Sequence, residues 1–385
     1  MIDTVTFGFY GVSMGEEQLS TFIENRSRIP DGRVFYKYSR SVRCENGSHI
    51  FLHYFPQNRS GDQIPMLLIE GSLPAWVYGT NVLMINDLHE AVAAGNKHLQ
   101  GVKFLPKIDL ADANIYRIDF CCNHHIGDRM NDYLQAIAKL TYPHRETRTY
   151  RGGTMFYAKS RSSKLYNKGE ESRDPRARDI LRQETTIRNV CDIKEIIGKK
   201  EALTPIRSFK TNISDLIHKV EYHPHIYDFT PDIIRGVLED DLHKMKLDQA
   251  VFCNRTVAEA LLTLKYERVK ADRLLGFLAR IQYETPAGLK ELYGTNRTVN
   301  RNMQCLADAG VSAVMIDNKV PLPRLTVNFE NGENGENMPN VSQSPSDTRT
   351  SDDMEVIAEV VIQEDCDSFE DDMDPQIMGY PSVSS

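Results

Sequence analysis

Three polar islands interrupt otherwise strand-like stretches of this chain. They are Arg117-Ile118-Asp119, the run from Ser160 to Glu170 that carries Lys164, Tyr166 and Lys168, and the run from Arg182 to Arg188 that carries Glu184. Two isolated carboxylates and a tyrosine set among cations suit one chemistry, metal-assisted cleavage of a phosphodiester with the tyrosine as nucleophile. Asp119 and Glu184 would supply the oxygen ligands that a hard divalent ion requires. A tyrosine hydroxyl attacks poorly until a base, a cation or a metal lowers the cost of ionising it. Lys164, Lys168 and Arg182 would hold the phosphate through charge-assisted hydrogen bonds. Each island also has a purely structural reading. Strand alternation puts Arg117 and Asp119 on one face, where they could pair. Tyr166 fits a half-buried strand position, and Glu184 could belong to a salt-bridge ladder with Arg182 and Arg188.

In their order the islands resemble those of the filamentous-phage gene II replication proteins and, more distantly, of the rolling-circle initiators of staphylococcal plasmids. Those families place an Arg-hydrophobic-Asp strand first, then a tyrosine in a Tyr-x-Lys setting after a serine-containing turn, then an Arg-x-Glu strand. The matching residues here are Asp119, Tyr166 with Lys168, and Glu184. The opening Met1-Ile2-Asp3-Thr4-Val5, the stretch Ile69-Glu70-Gly71-Ser72-Leu73-Pro74-Ala75 and Tyr78-Gly79-Thr80-Asn81 resemble the phage proteins too. Each motif is short, and the resemblance rests on their ordered co-occurrence over roughly the first two hundred residues.

The resemblance implies a metal-dependent endonuclease that starts rolling-circle replication of a phage, plasmid or mobile element. It would nick one strand at the origin, keep the 5′ end on Tyr166 and free a 3′ hydroxyl as primer, with Mg2+ or Mn2+ on Asp119 and Glu184. Its partners would be origin DNA, duplex and single-stranded, with a host helicase and polymerase in a bacterial cytoplasm and no membrane. Two other readings stay open: a non-catalytic DNA-binding regulator, and a relaxase with the same chemistry.

Composition agrees with a DNA-handling core once the tail is set apart. The formal charge of the 385 residues is −8, but residues 329–385 hold fifteen of the 54 acids and one of the 46 bases. That segment carries −14, which leaves +6 on residues 1–328. The bases cluster around Tyr166: Lys159, Arg161, Lys164, Lys168, Arg173, Arg176, Arg178, Arg182 and Arg188. Such a run is a solvated face or a phosphate-contacting surface. The seven cysteines show no Cys-x-x-Cys pairing, which argues against zinc and for reduced thiols. No apolar stretch reaches membrane-spanning length, and the N-terminus has neither the basic nor the apolar region of a secretory signal.

The elements that must position the islands read as an α+β pattern with antiparallel strands. Alternation predicts strands at residues 2–10, 35–41, 48–54, 64–70, 115–121, 148–158, 163–168 and 181–187. Asn46-Gly47 marks a hairpin turn. Helices are expected at 15–23, at 86–94 with Gly95 as the stop, and at 128–139. On the strand at 181–187, Arg182, Glu184 and Thr186 share one face; if the strand at 163 continues, Tyr166, Lys168 and Glu170 share another. Glu170 is a further candidate ligand or base.

Residues 231–328 change character. Helical spacing at 256–266, 268–283, 288–293 and 297–309, with a turn at Gly294-Thr295, predicts a helix-turn-helix, with 311–316 and 323–327 as a wing. Asn296, Arg297, Asn300 and Arg301 would sit where a recognition helix reads base edges. The expected organisation is a rolling-circle nuclease domain at 1–230, a winged helix-turn-helix-like DNA-binding domain at 231–328 and a disordered acidic tail at 329–385. His223-Pro224-His225 reads as a surface turn, while His124-His125 is a spare metal ligand pair after Asp119. No phosphate-binding Gly-x-x-x-x-Gly-Lys-Ser/Thr loop is present, so no helicase is built in.

Overall fold

The structure is a computed structural model and describes residues 1–28, 34–57, 64–140, 142–188, 190–198, 224–248, 250–284, 286–316 and 321–329. His223 and, beyond Phe329, the expected acidic tail lie outside the described residues. The chain divides into two compact units. One holds Ile2–Ile118 and Ile187–Thr230; the other holds Asp119–Thr186 and Pro231–Phe329.

In the first unit, β1 (Ile2–Tyr10), β2 (Ile23–Arg28), β3 (Val34–Arg43), β4 (His49–Phe55) and β5 (Met66–Ser72) pair antiparallel in the order β2-β3-β4-β5-β1. The β3–β4 turn falls at Asn46-Gly47 as expected, and Gly47 takes the positive φ of 84° that such a turn requires. The expected helix at 15–23 shortens to α1 (Glu16–Leu19). The Ser20 and Thr21 hydroxyls donate to the Glu17 and Gln18 carbonyls, end the turn, and leave Ile23 to start β2.

After β5 come α2 (Leu73–Tyr78) and α3 (Leu88–Gln100). The expected stop at Gly95 is not used, and α3 continues through it. A Cβ on Gly95 would lie 2.6 Å from Leu110 and 2.7 Å from the Trp76 ring, so this glycine serves close packing and not termination. Trp76 in turn stacks on Phe7 of β1 with ring centroids 6.1 Å apart.

The strand β6 (Asn114–His125) crosses the boundary at Asp119. The second unit continues with α4 (Met130–Ile137), β7 (Glu146–Tyr150), β8 (Gly153–Tyr157), β9 (Arg161–Asn167), α5 (Lys168–Ser172) and β10 (Ile180–Ile187). Its sheet has the order β6-β10-β9-β8-β7, with β7–β8 and β8–β9 antiparallel. The helix α6 (Val190–Ile196) belongs to the first unit.

From Pro231 the chain forms α7 (Pro231–Lys244), β11 (Val251–Cys253), α8 (Arg255–Lys265), α9 (Arg268–Ile281), α10 (Pro286–Tyr293), α11 (Asn296–Asp308) and β12 (Val311–Met315). Ala258, Leu262, Leu274, Leu278 and Leu306 form the core of the helical part, at the helical spacing the sequence shows. Among the described residues, the two segments expected as a wing, 311–316 and 323–327, do not pair with each other. The strand β12 pairs in parallel with β11, and Leu322 bridges to Phe252.

The helical segment expected as a separate domain shares a compact unit with Asp119–Thr186. Asp241 of α7 shows why. It is fully buried and accepts hydrogen bonds from Tyr142 at 2.8 Å, Arg161 at 2.6 Å and Thr185 at 2.5 Å, and from the Ser163 hydroxyl. Arg145 lies 3.6 Å from it. A buried carboxylate with this many donors is satisfied only while α7 stays on the sheet.

Candidate active site

Strand alternation gives the second unit's sheet two faces with different work. On one, Gln183 donates to the Leu238 carbonyl of α7, while Arg161, Ser163 and Thr185 hold Asp241. The opposite face carries Lys164 and Tyr166 of β9 and Glu184 of β10. The β8–β9 register sets Gly153 opposite Tyr166 and Met155 opposite Lys164 on this same face.

Three of the expected residues meet there. The Tyr166 hydroxyl donates to Glu184 Oε2 at 2.9 Å, and Lys164 Nζ lies 2.7 Å from Glu184 Oε1. Tyr166 is 5 % exposed and Glu184 3 %. Burial by itself would push the Glu184 carboxyl up. The Lys164 ammonium, its hydrogen bond and the Arg182 guanidinium reverse that and hold it well below the usual carboxylate range. Burial likewise opposes the charge on Lys164, and Glu184, then Asp119, more than compensate and raise its pKa.

The other expected residues are placed less simply. The strand β9 ends at Asn167, whose side chain accepts from the Glu170 N–H and caps α5, so the extended run through Glu170 does not form. Lys168 is fully buried, pairs with Glu171 at 2.6 Å, and has its ammonium 5.8 Å from the Tyr166 ring centroid. Glu170 pairs with Arg151 at 2.8 Å. Arg182, expected to touch phosphate, is fully buried; its Nε donates to Asn123 at 2.8 Å and its charge acts on Glu184. Arg297, Asn300 and Arg301 are exposed on α11, whose Thr295 cap accepts from the Thr298 N–H at 3.2 Å. Asn296 opens this helix.

The oxygen donors expected for a metal, Asp119 and Glu184, are of the kind that a hard divalent ion takes. Asp119 is 2 % exposed, and its charge and that of Glu184 both act on the Lys164 ammonium, a cation already standing under the influence of two carboxylates. Among the described residues no group of three or more His, Cys, Asp and Glu side chains could hold a metal. His124 is turned to Gln183 at 3.2 Å, and burial lowers its pKa to about 4. His125 sits 3.3 Å from Asp179.

Tyr150 and Tyr157 are the other tyrosines near Tyr166 in the sequence, alternatives for the nucleophile whose alternating run favours core or base-stacking roles. Tyr150, at the end of the edge strand β7, lies beside Tyr166 in a cavity of about 490 Å³ whose lining includes Lys164, Glu170 and Arg173. Gly153 makes this possible, because a Cβ there would lie 2.6 Å from the Tyr166 Cβ and 2.8 Å from the Tyr150 hydroxyl. Asp241 of α7 does escape the linear motifs, since an acid in a charged helix reads as solvated.

In this α+β protein a tyrosine hydrogen-bonded to a lysine-held carboxylate thus lines a cavity whose wall includes the exposed Arg151 and Arg173. The chain belongs to the Phage_CRI family, described as the N-terminal part of a phage replication-associated protein, whose model matches residues 1–235. Membership places it among filamentous-phage gene II-type replication initiators, with a role in rolling-circle replication and origin DNA as its partner. No curated protein and no solved structure matches. No helix among the described residues is long and apolar enough to cross a membrane.

Proposed function

We propose that this protein nicks one strand of the replication origin with Tyr166 as nucleophile and reseals it by the reverse reaction. The observation that carries the reading is the row Tyr166–Glu184–Lys164. A nucleophile within hydrogen-bond reach of a base, which a third group orients, is the general arrangement of covalent catalysis.

The Tyr166 oxygen attacks phosphorus and its proton passes to Glu184. The bond from phosphorus to the 3′ oxygen breaks, the 3′ oxygen takes up a proton from water, Glu184 returns its proton to water, and the 5′ phosphate stays on Tyr166. One phosphodiester replaces another, so a later 3′ hydroxyl can displace the tyrosine. Lys164 holds Glu184 ionised before attack, and its positive charge offsets the charge that builds on the phosphate. Lys168, near the tyrosine ring, adds to this field. Asp119 and Glu184 would hold a divalent ion, Mg2+ or Mn2+, which supplies Lewis-acid polarisation of the phosphate when bound.

Exposed Arg297, Asn300 and Arg301 on α11, with Asn296 at its start, are assigned to reading the duplex origin. A polymerase and a helicase of the host would extend and unwind from the nick. The experiment is incubation of the full chain with an origin oligonucleotide and Mg2+ or Mn2+, followed by peptide mass spectrometry. A nucleotide adduct on Tyr166 supports the reading. An intact protein beside a cleaved oligonucleotide rejects covalent chemistry.

A further inference from the structure

The cavity beside Tyr166 is larger than the attack on a phosphate requires. A nucleophile, a carboxylate and an ammonium need only the phosphate to arrive, yet about 490 Å³ opens next to them. Its wall includes the ring of Tyr150, a residue 45 % exposed although it is a large aromatic on a sheet. Gly153 is the reason the ring can lie there, since any side chain at this position would collide with it. Tyr150 is also held in the field of the site. Burial raises its pKa most, Lys164 opposes, and Glu184 and Glu171 add to the rise, so the hydroxyl stays protonated at neutral pH.

The charges around the cavity leave a net cation. Glu170 is matched by Arg151 and Glu171 by Lys168. Glu184 is matched by Lys164. Arg173 remains: it is exposed, and the chain holds it in a left-handed conformation at φ 56° at the end of α5. Nearby on the same sheet face, the Arg148 guanidinium, paired with Glu146 at 2.8 Å, lies 4.0 Å over the Tyr157 ring, so a second aromatic surface continues outward from the cavity along the strand edge.

We infer that this cavity binds one unpaired nucleotide next to the scissile phosphate, with its base stacked on Tyr150 and its phosphate on Arg173. The inference rests on the proposed nicking function and adds the residues, Tyr150 and Arg173, that hold the strand at that point. A neutral phenol ring offers a π face to any base, and one cation anchors the backbone without reading sequence. A base still paired in a duplex has its faces covered by neighbouring pairs and cannot lay one on Tyr150, so the strand must be single at this position.

The test separates binding from cleavage. A fluorescein-labelled single-stranded oligonucleotide of mixed sequence is titrated with the full-length protein in EDTA, and anisotropy gives the affinity. Tyr150→Ala is expected to weaken binding about tenfold, the order of one lost base–aromatic stack. Tyr150→Phe, which keeps the ring, should recover most of the loss, and Arg173→Ala should weaken binding and flatten its salt dependence. Affinity for the same sequence as a duplex should change far less with Tyr150→Ala. Equal single-strand affinity for wild type and Tyr150→Ala overturns the inference while leaving nicking by Tyr166 intact. A loss as large in Tyr150→Phe as in Tyr150→Ala also overturns it, because the hydroxyl and not the ring would then be used. Failure of the wild type to form a Tyr166 adduct, with the stacking effect present, would instead count against the nicking chemistry alone.

Discussion

The Tyr166 hydroxyl and the Glu184 carboxylate share a buried hydrogen bond of 2.9 Å between adjacent strands, and Lys164 closes the other side of the carboxylate at 2.7 Å. Removing the hydroxyl leaves both the ring and the ion pair. Tyr166→Phe should therefore abolish the covalent adduct while DNA binding stays near wild type. The hydrogen bond to a charged group contributes about 1.5–3 kcal/mol, so a modest loss of stability is expected as well. Adduct mapping by mass spectrometry checks this, and a wild-type adduct found on Tyr150 or Tyr157 rejects the assignment.

The Glu184 carboxyl titrates lower in the folded chain than in the unfolded one. Its contribution to stability is fully present above the ordinary carboxyl range near pH 4.5. It is lost as the pH falls from there through the depressed folded value. Glu184→Gln should remove this acid-side dependence and cost roughly 3 kcal/mol at neutral pH, because Lys164 is left without its partner. Urea unfolding of both proteins at neutral and acid pH decides: parallel losses of stability on acidification would show that Glu184 is not the group responsible.

Asp241 should be among the most sensitive positions in the chain. Asp241→Ala leaves Arg145 and the largely buried Arg161 beside Ser163 and Thr185 without their acceptor, at a cost of about 3–5 kcal/mol. For the same reason, a fragment ending before Pro231 should fail to form a stable unit around Tyr166. Circular dichroism and thermal unfolding of the two proteins measure this. A cooperative transition and an intact Tyr166 adduct in the fragment would show that α7 is dispensable.

On α11, Arg301→Ala should weaken duplex origin binding by about 1–3 kcal/mol if the arginine makes a bidentate guanine contact. Binding to random duplex should change much less. Competition titrations with both DNAs give the answer, and equal losses on the two would mean that the helix touches only phosphates.

Metal removal gives a further prediction. Chelation with EDTA should stop nicking without unfolding the chain, and Asp119→Ala should stop it in saturating Mg2+ or Mn2+, since a single carboxylate holds a hard ion poorly. Isothermal titration with Mn2+ should show weaker binding in that variant. Wild-type nicking by Asp119→Ala would make Asp119 a structural charge and leave catalysis to Tyr166, Glu184 and the lysines.

Much of the site was legible because strands have a period of two. Alternation alone put Glu184 on one face of its strand and Gln183 and Thr185 on the other, and the structure keeps these sides. The helical core positions at Ala258, Leu262, Leu274 and Leu278 were legible by the same logic at period 3.6. Local rules failed where an end or a partner lies far away in sequence. Asn167 capped α5 and cut the strand short, so Lys168 and Glu170 left the face shared with Tyr166. Gly95 looked like a helix stop but marks where Trp76 and Leu110 come close. Arg182, a surface cation by composition, is buried under the field of Glu184. The sequence thus determined which residues face which way, since that follows from the backbone of each element alone. Which residues touch, which charges are buried, and that Tyr150 crosses Gly153 to stand beside Tyr166 were decided by tertiary packing, because those distances depend on strands and helices that the chain brings together only when it folds.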